Sequence, residues 1–341
     1  MNRKYIFTAI VCILSLGLMF DSCNIDKSFV PDRIRSNITV VPPNPVSTHA
    51  DDPWVIYDEI RDCYYYVWSG DGVRIAKMSE FFEWDDAHHP LSYMQAWRPQ
   101  PGTELFNEVW APEIHFINGK YYIYVTAGGG VHHRMQVLES KTDDPMDGFN
   151  YMGELLLPEN KWAIDGTILH SGGKMYHVWS GWEGYVNVRQ DIYIAEMDGP
   201  LKVIGNRVMI SKPEYPWEIN FGLDWPTVNE GPCAVVAPNG LVHIMYSASG
   251  SWRDDYCIGL LTLTGADPLN ASHWTKKDIP ILAKEQGMYG PGHNGVVKSR
   301  DGRQWITYHA NLISGTGWNG RMGWVRELTW DDDGYPVILP R

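Results

Sequence analysis

Cysteine is scarce in this 341-residue chain: there are five, and only Cys63, Cys233 and Cys257 lie beyond Cys23. An odd number of widely spaced thiols in strand-like contexts argues against a disulfide framework and reads as buried core cysteine. Positive charge is also short, with 28 Lys and Arg against 41 Asp and Glu and a formal net charge of −13. Phosphate backbones select for basic surfaces, so nucleic acid is excluded as a partner. Stretches with apolar residues at helical spacing are missing, and 33 Gly and 22 Pro interrupt the chain throughout. What remains is an all-β chain.

The one long hydrophobic run, Tyr5 to Phe20, follows the basic start Met1-Asn2-Arg3-Lys4. That is the form of an export leader and not of a stop-transfer anchor. It ends in Asp21-Ser22-Cys23, with the Cys where a bacterial lipoprotein leader is cleaved and acylated. Residues 1–22 are therefore expected to be a lipoprotein-type leader, and residues 23–47, which include VPPNPVS, a flexible tether. The expected location is periplasmic or cell-surface, with membrane contact only through the N-terminal lipid. Free secretion is the alternative.

Phe is also rare, at 9, beside 16 Trp and 19 Tyr. Aromatics with one polar edge suit both strands and sugar-stacking surfaces. Five times a Gly-containing turn meets an aromatic, β-rich segment: RDCYYYVWSG (61–70), NGKYYIYVTAG (118–128), GGKMYHVWSG (172–181), NGLVHIMYSAS (239–249) and DGRQWITYHA (301–310). A repeat of roughly sixty residues is too long for a solenoid, and its strand signals point to a propeller with one repeat per blade. The fold expected for residues 48–341 is thus a single five-bladed β-propeller. The segment 321–339 is expected to form its last strands and complete the ring with the N-terminal segment.

Counting back ten to twelve residues from each aromatic strand leads to the start of an inner strand near the axis. The five addresses hold Asp52 (HADDPWV), Trp110 with Glu113 (WAPEIH), Asp165 (WAIDGTIL), Glu230 (NEGPCAV) and His293 (GPGHNGVV). Carboxylates gathered at the mouth of a ring repel one another and lose hydration, so they cost stability unless they are paired, protonated or used. Glycosidic bond cleavage uses such a set: one acid protonates the leaving oxygen and one carboxylate acts from the opposite side. Crowding and burial push the two pKa values apart.

With WAPEIHFINGKYYIYV, WAIDGTIL, VWSGWEG, QDIYIAEM, NEGP, YSASGSW and GPGHNGVVKSRDGRQWITYHA, the chain from His49 to about Pro340 resembles the five-bladed glycoside hydrolases of family 43. These strings look most like the branch holding α-L-arabinofuranosidases, including exo-acting enzymes on α-1,5-arabinan. The resemblance implies Asp52 as the general base, Glu230 as the general acid and Asp165 as the residue that orients the acid. It implies an inverting mechanism acting on arabinose-containing polysaccharide or oligosaccharide. Asp51 competes with Asp52, but the family's base directly precedes Pro.

Arg321 matches a family Arg that reaches toward substrate hydroxyls, although Gly323-Trp324-Val325 departs from the usual polar continuation. Trp110 is either a stacking wall for the terminal sugar or blade packing. His293 is either a hydrogen-bonded core residue or the one protein ligand of an axial calcium, a structural ion with no part in the chemistry. His132, His133 and Arg134 are either pocket-lining or exposed loop residues. The rival readings are a β-xylosidase or xylan-debranching arabinofuranosidase on the same scaffold, and a carbohydrate-binding propeller without catalysis. The retaining fructan hydrolases carry Asn-Asp-Pro and Arg-Asp-Pro motifs, and this chain has neither.

Overall fold

The computed structural model describes residues 44–81, 92–219, 222 and 225–340. The expected leader and most of the expected tether lie outside them. Among the described residues, twenty strands form five antiparallel blades of four in chain order, the third and fourth joined by a short parallel pairing of Arg189 and Gln190 with Thr227 and Val228. Blade 1 holds β1 (Trp54–Asp58), β2 (Cys63–Ser69), β3 (Val73–Met78) and β4 (Tyr93–Trp97). Blade 2 holds β5 (Val109–Ile117), β6 (Lys120–Ala127), β7 (Arg134–Ser140) and β8 (Phe149–Glu154). Blade 3 holds β9 (Ala163–Ser171), β10 (Lys174–Trp182), β11 (Arg189–Met197) and β12 (Val203–Ser211). Blade 4 holds β13 (Thr227–Val236), β14 (Val242–Ala248), β15 (Cys257–Leu263) and β16 (Trp274–Lys276). Blade 5 holds β17 (Tyr289–Lys298), β18 (Gln304–Asn311), β19 (Arg321–Trp330) and β20 (Pro336–Ile338). This is a five-bladed β-propeller. Its only helical pieces among the described residues are short 3-10 turns.

The five aromatic segments are the second strands β2, β6, β10, β14 and β18, and they are buried along nearly their whole length. Successive strand residues face opposite sides, so each blade can serve both its neighbours at once. In β2, Tyr65 and Val67 pack with Ile114, Tyr121 and Ile123 of blade 2. Tyr64 and Tyr66 pack with Val297, Trp305 and Val325 of blade 5. A run such as CYYYVW is therefore apolar at every position because both of its faces are interior. Cys63, Cys233 and Cys257 are buried and free.

The ring is closed by hydrogen bonds between the N-terminal segment and β19. Asn44 brackets Val325, with Nδ2 donating to its carbonyl at 2.7 Å and Oδ1 accepting from its N–H at 2.9 Å. Val46 N–H donates to Gly323 O at 2.8 Å, and Gly323 N–H donates to Ser47 O at 3.0 Å. Residues 44–47, expected from the sequence to be part of a tether, are thus bound to the propeller. This closure carries Asp51 and Asp52 to the start of β19, where Arg321 begins the strand.

Candidate active site

Each blade opens with the same backbone irregularity. Asp52, Ala111, Asp165, Gly231 and His293 have φ between 44° and 55°, one residue per blade. In blades 2 to 5 the pairing of the first two strands skips this residue and its successor. The successors are Pro53, Pro112, Gly166, Pro232 and Asn294. Proline has no N–H to strand and keeps the preceding residue out of the right-handed helical region. A non-glycine residue held at positive φ costs on the order of 1–3 kcal/mol, and such positions gather at functional sites.

This register corrects the sequence reading. Asp52, Asp165 and His293 do share one address, but Trp110 and Glu230 each stand one residue before it, ahead of Ala111 and Gly231. The reason is that Pro112 and Pro232, not the polar side chains, mark the equivalent positions. Glu113 is withdrawn as well: it is buried, its Oε2 lies 3.0 Å from His115 Nε2, and it does not line the cavity. Asp52, Trp110, Asp165, Glu230, His293 and Arg321 do come together around one cavity of about 680 Å³.

Asp52 is held as an anion. Its Oδ1 lies 3.1 Å from His293 Nδ1, 3.4 Å from His309 Nδ1 and 3.4 Å from Arg321 Nη1. Burial works to raise its pKa, but His293, His309 and Arg321 together outweigh burial and hold the carboxyl well below the usual carboxylate range. Asp51 is half exposed, 3.5 Å from Arg321, and its pKa is raised by burial and by the Asp52 charge. Of the adjacent pair, Asp52 is the one with its carboxyl enclosed.

Glu230 is in the opposite state. It is 8% exposed, its Oε1 accepts a hydrogen bond from Tyr256 Oη at 2.8 Å, and desolvation lifts its pKa to about 7 against the pull of Tyr256 and Arg321. Asp165 lies beneath it, with Oδ2 accepting from Gly231 N–H at 3.0 Å. Burial, then the charges of Glu230 and Asp52, raise the Asp165 pKa well above its ordinary value. The carboxyl of Asp165 therefore grips the peptide that follows Glu230.

Trp110 lines the cavity with its ring stacked on His133 at 4.0 Å between centroids. His133 is 1% exposed and lies 2.7 Å from Gly130 O through Nδ1. It supports the Trp110 ring from behind and is neither pocket-lining nor an exposed loop residue. Arg321 Nε is buried and has no partner among the described residues, a donor left over after Nη1 faces Asp52.

His293 does not sit in a protein-built calcium cage. Calcium takes six to eight oxygen ligands, and no three His, Cys, Asp or Glu side chains converge to hold a metal among the described residues. An axial ion would have His293 as its single protein ligand and water for the rest, and no step is assigned to it. The His293 pKa is lowered by burial, against the pull of the Asp52 charge.

Sequence reasoning missed Tyr256, Ser251, His309 and Trp318. Tyr256 and His309 stack at 5.7 Å and 10°, each on a residue of the site. Burial pushes the His309 pKa down to about 3. Gly292 is the space that admits Tyr256, because a Cβ there would lie 2.0 Å from Tyr256 Cε1. Gly292→Ala is expected to cost about 1–3 kcal/mol of stability, as overpacking does, and to displace the hydroxyl from Glu230. A lowered melting temperature together with a shifted pH profile is the expected result, read by calorimetry and kinetics.

On five blades, one cavity thus sets Asp52, with its pKa pushed down, beside Glu230, with its pKa pushed up to about 7. The family described as Glycosyl hydrolases family 43 matches residues 42–336. The chain belongs to that family. An extracellular exo-alpha-(1->5)-L-arabinofuranosidase of Streptomyces avermitilis is 35% identical over 253 residues, covering 70% of this chain and 51% of the relative. One of the same name from Streptomyces chartreusis is 32% identical over 223 residues, covering 63% of this chain and 66% of the relative. The chain thus spans about half to two thirds of the length of these curated relatives. The crystal structure of an α-L-arabinofuranosidase from Lactobacillus brevis superposes with a TM-score of 0.78 at 29% identity, covering 86% of this chain and 95% of that one.

Proposed function

We propose that this family 43 propeller is an inverting glycoside hydrolase that releases terminal α-L-arabinofuranose from arabinan or arabino-oligosaccharides. The carrying observation is that two carboxyls on one cavity are pushed in opposite directions, Asp52 toward the anion by Arg321 and its imidazole neighbours and Glu230 toward the acid form by burial, which lifts its pKa to about 7. In this reading Asp52 is the general base that takes a proton from water as the water attacks the anomeric carbon. Glu230 gives its proton to the departing glycosidic oxygen, so the base gains a proton and the acid loses one in each turnover. Asp165 orients Glu230 through the Gly231 peptide. Trp110 forms a flat wall for the sugar ring, and Arg321, whose side chain lines the same cavity, donates to a sugar hydroxyl.

The names of the two Streptomyces relatives support both the sugar and export. The leader-like N-terminus with Cys23 supports export as a lipoprotein, anchored by lipid at that cysteine.

The test is the product profile of the full chain on linear arabinan, branched arabinan and arabinoxylan, with the anomer of the first product followed by NMR. Arabinose released from linear arabinan, initially as the β anomer, is the expected result. Initial α anomer would contradict water attack assisted by Asp52, and release of xylose would overturn the sugar assignment.

A further inference from the structure

The indole of Trp318 is 60% exposed at the mouth of the cavity, yet it is held in place. Its Nε1 donates to Ser251 Oγ at 3.1 Å, and Trp252 packs on it edge-on at 80° with centroids 6.2 Å apart. The turn that carries it, Gly317–Gly320, is tied to the scaffold by Asn311 Nδ2, which donates to Gly317 O at 3.0 Å. Just before the turn, Asp254 accepts from Ser314 Oγ and, at 2.9 Å, from Gly315 N–H. Loops of blades 4 and 5 therefore clamp each other and leave one rigid apolar face turned outward. A large aromatic surface fixed in water forgoes the gain of burial, which is the mark of a binding surface. Its rigidity removes part of the ordering cost of binding.

The neighbours of Trp318 say which part of a substrate it meets. Ser251 also hydrogen-bonds Glu230, and its carbonyl oxygen lies 3.5 Å from Arg321 Nη2. One serine thus joins the exposed indole to the acid. An acid must touch the leaving-group oxygen, so a face one residue away from Glu230 lies on the leaving-group side. Trp110 and Ile164 line the cavity from blades 2 and 3.

Resting on the reading of Glu230 as acid, we infer that Trp318 is an aromatic platform for the arabinose unit on the leaving-group side of the scissile bond. Its flat face suits the apolar C–H face of a sugar. It would make the site prefer arabinan chains over simple arabinosides.

Kinetics of the full chain, Trp318→Ala and Trp318→Phe on arabinotriose and on methyl α-L-arabinofuranoside, whose methanol leaving group has no ring, test the inference. The loss of kcat/KM in Trp318→Ala is expected to be about tenfold greater on arabinotriose than on the methyl glycoside, carried by KM, with Phe restoring most of it. Equal losses on both, or none on arabinotriose, overturn the platform. Calorimetric binding of arabinotriose to Glu230→Gln, with and without Trp318→Ala, separates this from failure of the hydrolase reading. If the wild type turns over neither glycoside, that reading fails. Binding that weakens about tenfold without the indole still supports the platform, while unchanged or absent binding overturns it.

Discussion

Glu230→Gln is expected to lower kcat/KM on arabino-oligosaccharides by about 10²–10⁴-fold, the usual worth of a positioned general acid. On 4-nitrophenyl α-L-arabinofuranoside the loss should be much smaller, because nitrophenolate departs without a proton. The pH dependence adds an independent readout. The acid works only when protonated, and its pKa is raised from 4.5 to about 7 in the folded chain. Activity is therefore full below that value and falls as pH rises through about 7. Gln does not titrate, so the alkaline limb should vanish in the variant. An unchanged limb, or equal losses on both substrates, would remove Glu230 from the acid role.

Asp52→Asn should lose at least as much on every substrate, because the attacking water must be deprotonated whatever the leaving group is. A fall of about 10³–10⁴-fold is expected on both the oligosaccharide and the aryl glycoside. Azide needs no base, so it should restore turnover of the aryl glycoside and give the β-arabinofuranosyl azide. The charge change has a local effect as well. Arg321, His293 and His309 all face Asp52, and its loss leaves the half-exposed Asp51 as the one carboxylate within ion-pair distance of the guanidinium among the described residues. Melting temperature should be measured alongside, since a folded variant that retains activity within tenfold would exclude Asp52 as the base.

Much of the architecture was legible because the second strand of every blade is buried on both faces, which forces a continuous apolar run after a glycine turn. That requirement is local, and it repeats five times. The addresses of Asp52, Asp165 and His293 were legible for the same reason. Trp110 and Glu230 were read one residue out of register because the count followed polar side chains instead of the backbone. The better marker was in the chain already: Pro53, Pro112 and Pro232 follow the left-handed residue in three blades. Tyr256, Ser251, His309 and Trp318 carried no local signal, since each meets the cavity or a residue that lines it from a second or later strand or a loop, where neighbouring residues say nothing of the target.

The sequence by itself determined the number of blades, the buried second strand of each, and the delivery of carboxyls to the ring axis, because alternation and turn chemistry act over a few residues. Tertiary structure alone decided which carboxyl keeps its proton. Arg321 meets Asp52 across 269 positions of chain, and Tyr256 meets Glu230 across 26. Protonation depends on burial and on charges brought close through space. Two acidic residues that look alike in the chain are pushed in opposite directions only once the ring has closed.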